Sequence, residues 1–225
     1  MSTDQAGSLI SAIAQLIGVL IWPAVLLFFL VRYQSSLANF IKNLGEFSVK
    51  LPGVEASGKR QQVEAAAALG AAVGRASNAG VPEVNADPQD IAAAIPSPRT
   101  QRRLQGARIL WVDDRPDNNR FERQALETLG IDIDLSLSTE DALQKVQQRP
   151  YDLIISDMGR PGDDRAGYTL LDQLRQSGYQ TPFVIYAGSR APEHIREARE
   201  HGAITTTNRP QELITIVTNV LSTKQ

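Results

Sequence analysis

Ile109-Leu110-Trp111-Val112-Asp113-Asp114-Arg115-Pro116-Asp117-Asn118-Asn119 is the stretch on which the reading of the chain turns. An apolar run rich in strand formers stops at two adjacent carboxylates, and Pro116 then stands where a helix can begin. Asp113 and Asp114 are therefore expected at the C-terminal edge of a strand, where open α/β sheets place their chemistry.

From Ala107 onward strand and helix signals alternate. The spacing predicts strands over 108–113, 131–136, 151–156, 182–187 and 203–207, and helices over 117–129, 139–148, 167–177, 192–201 and 210–222. Five βα units of this length predict a five-stranded, doubly wound parallel sheet. Asp152-Leu153-Ile154-Ile155-Ser156 and Phe183-Val184-Ile185-Tyr186 read as strands buried on both faces. Phe121, Leu126 and Leu129 are expected to turn toward the sheet, and Ser138 or Thr139 followed by Glu140-Asp141 caps the second helix.

The N-terminal part has a different character. Leu9 to Val31 runs for 23 positions without a charged side chain. At about 1.5 Å rise per residue that gives about 35 Å of helix, enough to span a hydrocarbon core. A transmembrane helix over 9–31 is predicted; the run is too long for a signal-peptide h-region, and no basic segment precedes it. Arg32, Lys42, Lys50, Lys59 and Arg60 follow it, which predicts a single pass through the inner (plasma) membrane with the bulk of the protein on the cytoplasmic side.

Leu37, Phe40, Ile41 and Leu44 fall at helical spacing and predict an amphipathic juxtamembrane segment. Lys59 to Arg75 reads as an Ala-rich helix. Ala66, Gly70 and Gly74 recur every fourth position, which permits close helix approach; a homo-oligomer and a plain helix without a specific partner are the two readings. Prolines 82, 88, 96 and 98 interrupt 76–103, leaving room for one brief helix from Pro88 to Ile95, so the stretch reads as a linker. The expected division is 1–34 for the short tail and membrane helix, 35–75 for the juxtamembrane and Ala-rich part, 76–106 for the linker and 107–225 for the α/β domain.

Composition removes several chemistries. The chain has no cysteine, so disulfides, thiolate nucleophiles and Cys-based metal sites are excluded. Residues 1–106 carry nine basic and seven acidic side chains and residues 107–225 carry fourteen and eighteen, which is too weak a basic bias for a nucleic-acid binder. His194 and His201 lie seven apart in a predicted helix with no third ligand in view, and are expected at the surface or a helix end.

In a sheet of this kind the C-terminal ends of the first and third strands are neighbours, which brings Asp157 near Asp113 and Asp114. Three crowded carboxylates repel one another unless a hard cation sits among them, and Mg²⁺ suits oxygen ligands best. A carboxylate beside such an ion can attack phosphorus, because the ion offsets charge on the transferred group.

Over 107 to about 222 the sequence resembles the receiver domain of two-component response regulators. The matching pieces are Ile-Leu-Trp-Val-Asp-Asp at 109–114, Tyr-Asp-Leu-Ile-Ile-Ser-Asp-Met at 151–158, Gly-Tyr-Thr-Leu-Leu-Asp-Gln-Leu-Arg at 167–175, Thr-Pro-Phe-Val-Ile at 181–185 and Gly-Ala at 202–203, with a basic residue before Pro210. The resemblance implies a flavodoxin-like sheet, Asp157 as phosphoacceptor, and Mg²⁺ on Asp113, Asp114, Asp157 and the backbone carbonyl of Gly159. It also implies a phosphate contact from Arg209, in place of the usual lysine, and a histidine kinase or phosphotransfer protein as donor.

Three positions depart from the pattern. Ala187 stands where receivers carry a Thr or Ser hydroxyl, with Ser189 two residues on as a substitute; Thr206 replaces the aromatic switch residue; Arg209 is a planar fork where the family has a compact ammonium. For Arg160 and Arg165, in the long loop after Asp157, contact with a phosphoryl group or a partner's acids is one reading and a solvated loop is the favoured one. The implied role is signalling rather than enzymatic turnover, with output through an unidentified downstream protein or the N-terminal half. The alternative is a receiver-like scaffold at the membrane that no longer responds to phosphorylation. A haloacid-dehalogenase-type phosphohydrolase is disfavoured, since Arg115 and Gly159 stand where that chemistry needs a second Asp.

Overall fold

A computed structural model describes residues 54–79, 87–189 and 191–223. In chain order the elements are α1 (Val54–Asn78), α2 (Pro88–Ala94), α3 (Pro98–Leu104), β1 (Arg108–Val112), α4 (Arg120–Thr128), β2 (Asp132–Ser136), α5 (Thr139–Gln148), β3 (Leu153–Ser156), α6 (Ala166–Gln176), β4 (Phe183–Tyr186), α7 (Pro192–Glu200), β5 (Thr205–Thr207) and α8 (Pro210–Ser222), with a 3₁₀ turn at Pro116–Asn119. All ten elements predicted after Ala107 form, the first helix being preceded by that turn.

The sheet is parallel throughout in the order β2-β1-β3-β4-β5. Strand alternation divides the core in two. Ile109 and Trp111 pack with Leu153, Ile155, Val184 and residues of α4 and α8 on one face. Leu110 and Val112 pack with Ile154, Phe183, Ile185 and residues of α5 and α6 on the other. As expected, β3 is buried along its whole length.

The structure differs from the sequence-based expectation before Ala107. The stretch read as a linker carries the brief helix expected from Pro88 and a second, unexpected one from Pro98, each started by a capping side chain followed by proline: Asp87 accepts from the Gln89 amide and Ser97 from the Thr100 amide. Pro98, read as an interruption, starts a helix as Pro88 does. The Ala-rich helix extends from Val54 to Asn78 and packs over α4, with further contact to α8. Its buried stripe is Ala65, Ala68, Leu69, Ala72, Val73 and Ala76, and all of these but Ala72 join the core cluster of β1. Ala66, Gly70 and Gly74, the small residues singled out from the spacing, flank that stripe and are only partly covered. Leu126 and Leu129 are buried in the core as expected, but Phe121 is half-buried under the Arg120 guanidinium and Glu122 is fully buried.

Among the described residues no helix is long and apolar enough to cross a membrane. The run 9–31 and the amphipathic segment 35–44 lie outside the described residues.

Candidate functional site

The strand register sets the site. Val112 pairs with Ser156 across β1 and β3, so the next residue of each strand, Asp113 and Asp157, leaves the sheet at the same level. Backbone bonds pin both: the Asp157 amide donates to the Val112 carbonyl at 3.0 Å and the Asp113 amide to the Ser136 carbonyl at 2.9 Å. One carboxylate oxygen each from Asp113, Asp114 and Asp157 then lie within 4.8 Å of one another. These acids open into a cleft of about 660 Å³ that also includes Arg115, Asn118, Asn119, Gly159, Arg160, Tyr186 and Ala187.

Asp113 is buried, and it accepts from the Arg115 amide at 2.7 Å and from the Asn119 side-chain amide. Burial pushes its carboxyl up, opposed chiefly by the Arg115 amide. Asp114 is more open and faces Arg115 Nε at 3.5 Å. At Asp157, burial raises the carboxyl to about 7, with the charges of Asp113 and Asp114 adding to the effect and Arg160 opposing it. The guanidinium does not win because a shielded carboxylate must also bear two like charges.

Close backbone packing holds the other side of Asp157. The Gly167 amide at the start of α6 donates to the Met158 carbonyl at 2.8 Å, and a Cβ at Gly167 would stand 2.6 Å from the Asp157 carbonyl oxygen. Only glycine lets α6 come this near.

The residue the sequence reading undervalued is Arg160. Its side chain is 5% exposed, not solvated. Nε donates to Asp157 Oδ1 at 2.9 Å, Nη1 to Thr139 Oγ1 at 2.7 Å and to the Ala166 carbonyl at 3.5 Å, and Nη2 to Ser156 Oγ. The chain returns it to the acid through a tight turn: Arg160 and Asp163 exchange backbone hydrogen bonds of 2.9 Å around Pro161-Gly162, with Gly162 at φ +86. Pro-Gly beginning four residues after a strand-end acid is the signal available in the sequence. Arg165, by contrast, is exposed, pairing with Glu197 and lying over the Tyr168 ring.

The remaining predicted residues divide. Gly159 lines the cleft beside Asp157. Arg209 is not among the lining residues; it precedes Pro210 at the start of α8, and its backbone amide bonds Thr207 Oγ1 at 3.2 Å. Ser189, the substitute considered for the hydroxyl missing at Ala187, is not among the residues lining the acid cleft. Its Oγ lies 2.8 Å from His194 Nδ1 and caps the Ala191 amide, on the wall of a second cleft of about 430 Å³. Thr206 is buried and bonds the Ser189 carbonyl at 3.5 Å. His201 stacks on Tyr168 and meets Asp172 at 2.8 Å. Among the described residues the aspartate trio is the one group suited to hold a metal ion.

With this geometry in view, the comparisons with known proteins are specific. The family model for the response regulator receiver domain matches residues 109–220. Residues 109–220 form a response regulator receiver domain. The receiver is similar to segments of a gliding motility regulatory protein of Myxococcus xanthus (30% identity over 125 residues, 55% of this chain and 15% of that protein) and of the sensor histidine kinase RcsC of Salmonella typhimurium (28% over 131 residues, 58% and 14%). The sensory/regulatory protein RpfC of Xanthomonas campestris is 32% identical over 117 residues, 50% of this chain and 16% of that protein. The chain thus spans about one seventh of the length of these curated relatives. Solved structures similar to it include the receiver domain of the Francisella response regulator 1452 (25% identity, 53% of this chain and 98% of that chain, TM-score 0.47) and the chemotaxis response regulator CheY4 of Vibrio cholerae (26%, 52% and 99%, TM-score 0.46).

The receiver's donor set fits Mg²⁺: the acids are hard oxygen donors, and their oxygens are close enough to share one ion. Arg160 engages one oxygen of Asp157 and leaves the other for a second ligand.

Proposed function

We propose that this chain is a membrane-tethered receiver that accepts a phosphoryl group on Asp157 from a histidine kinase or phosphotransfer protein. The observation that carries the reading is the convergence of Asp113, Asp114 and Asp157 at the C-terminal ends of two adjacent parallel strands. Asp113, Asp114, Asp157 and the Gly159 carbonyl would hold Mg²⁺, which when bound offsets charge on the transferred group. An Asp157 carboxylate oxygen attacks phosphorus, the bond to the donor atom breaks, and the leaving group takes the electron pair. Asn119 and the Arg115 amide keep Asp113 in place during the step. The kinase-type relatives support a phosphorelay partner of that class.

The apolar run 9–31 is the proposed anchor, with the receiver on the cytoplasmic side of the plasma membrane and signalling by protein contact rather than by turnover. A reporter fused after Gln225 should be active in the cytoplasm; activity only on the far side would overturn the orientation.

A second reading, a scaffold that does not switch, is favoured by Ala187 and by the engagement of Ser189 with His194. Beryllofluoride separates the two. With Mg²⁺ present, an adduct that requires Asp157 supports the phosphoacceptor, and its absence supports the scaffold.

A further inference from the structure

The receiver site contains a cation of its own. Arg160 is buried, its guanidinium bonds Asp157 directly, and three other acceptors, on Thr139, Ala166 and Ser156, hold it from the remaining sides. Those anchors come from three different elements, so the group cannot swing away without leaving several buried polar atoms unpaired.

Other donors are less available to a group bound on Asp157. Ala187 offers no hydroxyl, Ser189 is engaged with His194, and the Tyr186 hydroxyl donates to Glu122. Of the remaining polar residues of the cleft, Asn119 is committed to Asp113, while Arg115 and Asn118 are exposed. Arg160 combines burial, fixed orientation and contact with the acceptor carboxylate.

Resting on the reading of Asp157 as phosphoacceptor, we infer that Arg160 is the built-in ligand for the phosphoryl oxygens, taking the place of the hydroxyl missing at Ala187. The same guanidinium offsets one of the three negative charges of the acid trio, so it weakens the attraction for Mg²⁺ while strengthening the hold on a phosphoryl group. The Nε edge of the guanidinium already faces the acceptor carboxylate, and the bonds of Nη1 and Nη2 to Thr139, Ala166 and Ser156 hold that edge and its charge in place for an arriving anion.

Opposite effects on two ligands make this testable in the full-length protein. Mg²⁺ affinity is measured by calorimetry, and formation of the Asp157 beryllofluoride adduct by fluorine NMR at saturating Mg²⁺, for wild type, Arg160→Gln and Arg160→Lys. In Arg160→Gln, Mg²⁺ should bind about fivefold or more tighter, because a neighbouring positive charge has gone. The beryllium concentration for half-occupancy should rise about tenfold or more, because a charge-assisted hydrogen bond has gone. Arg160→Lys keeps the charge and loses the fork, so it should leave Mg²⁺ affinity near wild type and still weaken the adduct; if the Gln variant does not fold, this result decides. Unchanged half-occupancy in a folded variant, or parallel weakening of both ligands, would overturn the inference while leaving Asp157 as acceptor. A wild type that forms no adduct overturns both.

Discussion

Arg75 Nη2 lies 2.6 Å from Glu122 Oε1, and the Tyr186 hydroxyl donates to the same oxygen at 2.9 Å. Glu122 is fully buried, so its carboxylate depends on a cation delivered from α1, outside the receiver proper. Tyr186 in turn contacts Trp111 edge-to-face at 6.0 Å and lines the acid cleft. Arg75, Glu122 and Tyr186 link α1 to the end of β4.

Removing the cation should therefore cost more than a surface ion pair does. Arg75→Ala is expected to lower stability by about 2–3 kcal/mol, since it leaves a buried acid uncompensated. Adding Glu122→Gln should recover part of that loss. Urea denaturation of the single and double variants measures both, and additive losses would mean that the pair is not coupled.

Leu69 tests whether α1 belongs to the fold or only spaces it. It is fully buried in the same cluster as Trp111 and Leu126. Leu69→Ala should cost about 2–4 kcal/mol, seen as a shift of the main unfolding transition. A helix acting as a mere spacer would melt apart from the receiver and leave that transition in place.

Gly167→Ala places a methyl carbon 2.6 Å from the Asp157 carbonyl oxygen, a contact that backbone atoms cannot relieve cheaply. A loss of about 1–3 kcal/mol is expected, as for other overpacked sites. Beryllofluoride binding should fall with it, because α6 or Asp157 must shift. Gly162→Ala, in the turn that returns Arg160, provides a comparison at a position where a Cβ meets no atom but φ is positive.

The pH dependence follows from Asp157. Unfolded, an aspartate titrates near about 3.9. In the folded, metal-free protein burial raises Asp157 to about 7. Between those values the folded state holds a proton that the unfolded chain has released, so this group's contribution to stability declines as pH rises from about 4 to about 7 and then levels off. Asp157→Asn should accordingly stabilise the metal-free protein at pH above about 7 and change little near pH 4. Thermal melts across that range in chelator check this; a variant that is less stable than wild type at the alkaline end would contradict it.

The sequence carried the receiver far and the N-terminal part less so. Asp113 and Asp157 were legible because an apolar run ending in acid fixes both a strand and its edge, and neighbouring parallel strands then bring the acids together. The cap of α5 was legible to within one residue, as Ser138 or Thr139, for the same local reason, and Ser138 supplies it. Arg160 was not, because a charged residue in a long loop is ordinarily solvated; its burial depends on Thr139, Ser156 and Ala166, which lie in other elements. Glu122 was missed because its partners, Arg75 and Tyr186, stand 47 and 64 residues away in the chain. The stripe of α1 that packs on the domain is offset from the Ala66, Gly70 and Gly74 row by about one residue. Small-residue spacing indicates where a neighbour can come close, not which face it covers.

Phosphorylation of Asp157 is tested most directly by intact-mass spectrometry of the full-length protein after incubation with acetyl phosphate and Mg²⁺, with Asp157→Asn alongside. The predicted result is the mass increase of a single phosphoryl group on wild type, lost in the variant and in chelator. Wild type left unmodified, or a modification that persists in Asp157→Asn, would contradict it.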